Sequence, residues 1–169
     1  MAATDLHVFG PALVNVALDG SSYTNLGYSA DGVRITINSY SEDVISDDSG
    51  PAVPGDIQWM GQDARIVMDM VRFDKTTMEI LKRRLRASAV SSEGLVPAAA
   101  VGTLLVTGGL YFGLQIYPNQ RTGLTAELPY KFPVCNIEGA IESPVGTRVR
   151  RTSLVFRAIP VGGTLYTRN

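Results

Sequence analysis

The run Val33-Arg34-Ile35-Thr36-Ile37-Asn38 alternates apolar and polar side chains without a break. Successive side chains of a strand point to opposite faces, so this period of two belongs to a strand with one buried face. The pattern recurs. Phe112, Leu114 and Ile116 alternate with Gly113, Gln115 and Tyr117, and residues 134–141 and 152–159 read as further strands. Residues 12–18 form another candidate, closed by the turn pair Asp19-Gly20. Asp31-Gly32 is a second such pair, and an upstream strand is expected to fold back there as a hairpin partner. With 17 glycines and nine prolines as punctuation, the chain divides into about seven or eight short strands. The fold class that follows is mainly β, an antiparallel sandwich or barrel.

Residues 64–73 differ from the rest. One face carries Ala64, Ile66, Met68 and Met70; the other mixes Val67, Val71 and Phe73 with Arg65 and Asp69. A strand apolar on both faces is normally covered on both, here by a helix of the same domain or by a neighbouring subunit. The spacing predicts one helix over 74–87. Asp74 can accept from the free N–H groups of Thr76 or Thr77 as an N-cap. Met78, Leu81 and Leu85 make one apolar stripe. Lys82, Arg83, Arg84 and Arg86 crowd the final turns, where cations favour the negative end of the helix dipole.

A length of 169 residues fits one domain, 1–169, with residues 1–10 as an N-terminal arm. That arm has neither the basic nor the apolar segment of a signal peptide. The apolar region 95–110 is broken by Pro97, Gly102, Gly108 and Gly109, short of the roughly 20 continuous residues a spanning helix needs. It is expected to be a buried loop leading into a core strand, and the chain to be an intracellular soluble protein or something assembled inside a cell. The net charge of −1 hides a division: residues 1–63 hold nine acids and only Arg34 as a base (−8), leaving fourteen bases and seven acids in 64–169 (+7). The overall balance argues against a protein whose main work is gripping phosphates.

Catalytic patterns are missing. There is no G-x-S-x-G elbow, no phosphate-binding loop and no H-E-x-x-H. The glycines at 108, 109 and 113 precede a strand and lack dinucleotide-loop spacing, so they read as a turn. His7 has no partner nearby in sequence, and Cys135 sits in an apolar strand as a small hydrophobe. One cysteine makes no internal disulfide. No cofactor or metal is expected.

The stretch 41–61 reads as a long acidic loop carrying Glu42, Asp43, Asp47, Asp48 and Asp56. Oxygen ligands in such number suit calcium, but their spacing does not match the twelve-residue calcium loop. A structureless loop of about 20 residues is uncommon in a compact domain unless it has a task. Ile57, Trp59 and Met60 at its far end need burial somewhere, and charges around an anchoring tryptophan suit subunit contact. The bases Lys82, Arg83, Arg84 and Arg86 have no interleaved aromatics. They read as helix-end electrostatics and subunit pairing rather than as a nucleic-acid site, and Arg148, Arg150 and Arg151 are read alike.

In order of elements the chain resembles the tail tube (major tail) proteins of tailed bacteriophages. An N-terminal hairpin and a long loop precede the two-faced strand GQDARIVMDMVRF, which runs into the helix DKTTMEILKRRL; the β segment RRTSLVFRAIP closes the chain. The resemblance covers nearly the whole length and carries no signature motif. It implies a non-enzymatic virion protein, a subunit of hexameric rings stacked into a hollow conduit for the genome. It implies self-contact, contact with terminator, tape measure and sheath proteins, non-specific transit of double-stranded DNA, and no membrane. The chain would reside in the virion tail after assembly in the host bacterial cytoplasm. Expected contact residues are Glu42, Asp43, Asp47, Asp48, Asp56 and Trp59 on the acidic side and Lys82, Arg83, Arg84 and Arg86 on the basic side. The outer face of the strand adds Val67, Asp69, Val71 and Phe73. Other readings are a tail terminator, neck or head decoration protein, and a small-ligand-binding β-barrel with a cavity lined by Met68, Met70 and Phe112.

Overall fold

In the computed structural model, residues 4–9, 11–19, 21–45, 54–85, 104, 106, 111–118, 128–139 and 151–168 are described. Eight strands follow one another in antiparallel pairings: β1 (Thr4–Phe9), β2 (Leu13–Ala17), β3 (Tyr23–Ile45), β4 (Pro54–Phe73), β5 (Phe112–Tyr117), β6 (Tyr130–Ile137), β7 (Thr152–Ala158) and β8 (Thr167–Arg168). One helix, α1 (Lys75–Leu85), follows β4. The sheet runs β1-β3-β2-β5-β6-β7-β4, and β4 also pairs with β3. That last pairing closes β3, β2, β5, β6, β7 and β4 into a ring. The mainly β, barrel-like fold is the one the alternation requires.

The ring encloses the core. Val14, Val16, Ile35, Ala64, Ile66, Met70, Leu114, Ile116, Phe132 and Phe156 are fully buried inside it. Asp74 caps α1 as its position foretells, its Oδ2 accepting from the Thr77 N–H at 2.7 Å. The same bond, with help from Thr76, holds the Asp74 carboxyl below the usual range. Met78 and Leu81 of α1 are buried in the barrel core. The helix therefore covers the buried face of the strands, and the outer face of β4 stays uncovered by it.

Three expectations change. Asp31-Gly32 is not a hairpin turn: β3 runs through it, and between the pairs Ser29–Met70 and Val33–Met68 three residues of β3, Ala30 to Gly32, pass one of β4, Asp69. Gly32, at φ +114°, takes the backbone conformation that such a bulge needs. The bulge falls where the neighbour of β3 changes from β2 to β1. The hairpin partner enters instead through Asp19, whose carboxylate accepts from the Ser21 and Ser22 N–H groups at 2.9 and 2.7 Å. Residues 4–9 of the expected arm are β1, paired along β3.

The largest change is in 41–61. Ser41–Ile45 and Pro54–Gly61, read as loop, are the outer parts of β3 and β4. The reason is pairing. Val44 and Ile45 on one strand and Ile57, Trp59 and Met60 on the other give enough β-formers for a ladder once β3 and β4 already run side by side. Proline is tolerated because it stands at the first residue of β4. Residues 95–110 lie outside the described residues except Leu104 and Val106, which are exposed rather than buried.

Candidate self-assembly interface

Beyond Asn38 and Asp63 the strands β3 and β4 leave the barrel and continue as a two-stranded arm. The pairing of β4 with β7 ends at Ala64, opposite Ala158, so the arm has no third strand among the described residues. Register places Ser41 opposite Trp59, Glu42 opposite Gln58, Asp43 opposite Ile57 and Val44 opposite Asp56. Side chains alternate along each strand, so the arm has two unlike faces. Trp59 and Ile57 share one with Ser41 and Asp43. Glu42, Gln58, Val44 and Asp56 share the other. Trp59 is 62% exposed, Ile57 57% and Ile45 69%.

An isolated two-stranded ribbon is marginal in water, and large exposed apolar side chains gathered on one face mark an interaction surface. Glu42, Asp43 and Asp56 are exposed with them. The Asp56 Oδ1 accepts from the Ile57 N–H at 2.7 Å, a local bond on the exposed surface. Asp47 and Asp48 lie outside the described residues.

The root of the arm is a buried polar cluster that sequence reading missed. Asp63 is 5% exposed. Its carboxylate accepts from Asn38 Nδ2 at 2.8 Å, from the Tyr40 hydroxyl at 3.2 Å, and from Arg157 Nε and Nη2 at 2.8 and 2.7 Å. This carboxylate holds the Arg157 pKa above its usual value. Immediately outward, Met60 is an extra residue on β4 and Gly61 has φ +138°. Arg157 is 94 residues from Asp63 in sequence, so only the β4–β7 register could have revealed the pair.

The other expected contact residues divide. On the outer face of β4, Val67, Asp69 and Phe73 are half-buried and Val71 is exposed. Phe73 packs against the edge of the core while staying partly exposed. Lys82, Arg83 and Arg84 lie in the last turns of α1, and their side chains are not described; Arg86 is outside the described residues. Within one chain the acids of the arm and the start of α1 stand at opposite ends of β4, on the order of 50 Å apart at the usual rise per residue. Arg151 pairs with Asp31 and Arg65 with Glu138 at 3.4 Å, both on the surface.

Chemistry of other kinds finds little footing. Among the described residues no three His, Cys, Asp or Glu side chains gather as metal ligands. Met68, Met70 and Phe112 belong to the barrel core cluster together with Phe156. A surface cleft of about 450 Å³ lies outside that core, lined by Asn25, Gly27, Tyr28, Arg72, Phe73 and Asp74. No described helix is long and apolar enough to cross a membrane.

No protein-family model matches the chain, and no curated protein matches it in sequence. One solved structure, the tail of an empty GTA particle computed with helical refinement in C6 symmetry, aligns over 93% of this chain and 94% of its own. The identity is 14% and the TM-score 0.42, a likeness too loose to carry a function.

Proposed function

We propose that the chain is a structural subunit of a phage-like tail, closing with copies of itself into six-membered rings that stack as a hollow conduit for the genome. The observation that carries this reading is the arm, whose exposed Trp59, Ile57 and Ile45 form a surface that a lone chain in water leaves uncovered. The placement of acids and of α1 at opposite ends of β4 supports contact between unlike surfaces. Such heterologous contact closes rings and builds stacks. The resemblance in element order to tail tube proteins supports the station within the tail. On this reading the contacts run from Glu42, Asp43, Asp47, Asp48, Asp56 and Trp59 to Lys82, Arg83, Arg84 and Arg86 of another copy, with Val67, Asp69, Val71 and Phe73 facing a lateral neighbour. Terminator, tape measure and sheath proteins are the further partners, and double-stranded DNA passes without specific recognition. The chain has no catalytic role and resides in the virion tail after assembly in the host cytoplasm.

Sedimentation velocity tests the reading. The wild-type chain forms large assemblies as concentration rises, and the double variant Ile57→Lys, Trp59→Lys stays a folded monomer. A wild type that remains monomeric, or a double variant that assembles equally well, overturns it.

A further inference from the structure

Asp63 occupies an unusual position for a carboxylate. It is buried, yet it lies one residue beyond the last β4–β7 pair, Ala64 opposite Ala158, where the barrel stops and the arm begins. Three strands converge on its two oxygens: β3 through Asn38 and Tyr40, β4 through Asp63 itself, and β7 through the Arg157 guanidinium, which bonds by both Nε and Nη2. Both guanidinium bonds are charge-assisted and fall on one oxygen, Oδ2, while Oδ1 accepts from Asn38 and Tyr40. Outward of this cluster the ladder holds an extra residue, Met60, and Gly61 at φ +138°, a point at which a two-stranded ribbon bends easily.

We infer that Asp63 is a positioning residue that sets the angle at which the arm leaves the barrel, by fastening β3 and β4 to Arg157 of β7 just below the Gly61 bulge. The inference rests on the self-assembly reading only in what the angle is for: it aims the Trp59 face at a neighbouring copy. Without the fastening, the arm pivots at the bulge while the barrel, whose core is separate, keeps its packing. Arg157 then has no buried partner to hold it.

Trp59 is the only tryptophan of the chain and lies on the arm, so a change in its fluorescence anisotropy decay between variants of equal size reads a change in motion on the arm. The measurement uses the full chain, dilute enough to be unassembled, in Asp63→Asn, Arg157→Lys and, as a surface control, Asp31→Asn, whose partner is Arg151. Both cluster variants are expected to lower the residual anisotropy of Trp59, with the amides of β2 and β5 as protected from hydrogen exchange as in wild type. The control leaves Trp59 unchanged. Where the wild type assembles, the concentration at which Asp63→Asn does so rises about tenfold or more, the scale of losing charge-assisted hydrogen bonds. Residual anisotropy equal to wild type in both variants overturns the inference. So does loss of protection throughout the barrel, which would make Asp63 a folding residue and nothing more. An assembly threshold unchanged despite a loosened arm overturns the link to assembly. Because the anisotropy is read before assembly, it stands or falls separately from the proposed tail role.

Discussion

Phe112 on β5 and Phe156 on β7 meet edge-on inside the barrel, their ring centroids 5.7 Å apart and their planes at 78°. The two strands are not neighbours, since β6 lies between them, so the contact spans the interior. An edge-to-face pair adds about 0.5–1.5 kcal/mol beyond the area it buries. Phe156→Ala removes this pair and leaves a cavity, and is expected to cost about 3–5 kcal/mol in urea unfolding. A loss below about 1 kcal/mol would mean that the interior is loosely filled.

The turn between β2 and β3 should resist acid. Backbone N–H groups of Ser22 and Ser21 hold the Asp19 carboxyl far below its ordinary value of 3.8. A depressed folded pKa means that the carboxylate form is favoured in the fold, so its contribution is present above the unfolded value and is lost as pH falls through the folded one. An NMR titration of the Asp19 carboxyl should therefore show no protonation through the ordinary aspartate range. A midpoint near 3.8 contradicts the turn geometry.

Cys135 is fully buried on β6, and burial pushes its thiol far above the ordinary value of 9.0. The neutral thiol is the form that the fold accepts. Its contribution is whole below the unfolded pKa and declines as pH rises beyond it. The native chain should not react with a thiol reagent at pH 8, and Cys135→Ser should reduce the loss of stability in alkali. Rapid labelling of folded protein would show that the site opens.

These elements were not equally legible in the sequence. The strand 64–73 declares its buried face because Ala64, Ile66, Met68 and Met70 repeat with period two, and Asp74 declares its cap because the partner is three residues away. Such signals are local. The arm was misread because glycine, proline and acids in 41–61 look like a loop, whereas the β3–β4 pairing that orders them is a property of two distant segments. Asp31-Gly32 was misread for the same reason: a glycine with positive φ serves a bulge as well as a turn, and only the register decides. The Asp63 cluster was invisible because Arg157 arrives from β7, and no spacing within either segment marks the pair. The exposure of Glu42, Asp43 and Asp56 was legible from their charge, but which face of the arm each occupies follows from pairing alone.

Charge on the arm should act between copies, not within one. Exposed pairs contribute about 0.2–1 kcal/mol each, but a ring repeats every contact and so multiplies small terms. Asp43→Lys with Asp56→Lys should slow assembly at low salt while leaving thermal unfolding of the unassembled chain near wild type. The difference from wild type should shrink toward 1 M salt, where the Debye length falls to about 3 Å from about 10 Å at 0.1 M. Light scattering across a salt series measures it, and rates indifferent to both salt and charge reversal would make these acids mere solvated surface.

The central claim is that this barrel and its arm exist to be repeated. Negative-stain electron microscopy of the purified wild-type chain, concentrated without any other protein, tests it most directly. Six-membered rings in end view and stacks or hollow tubes in side view are expected. A field of single particles with no ring at any concentration would contradict it.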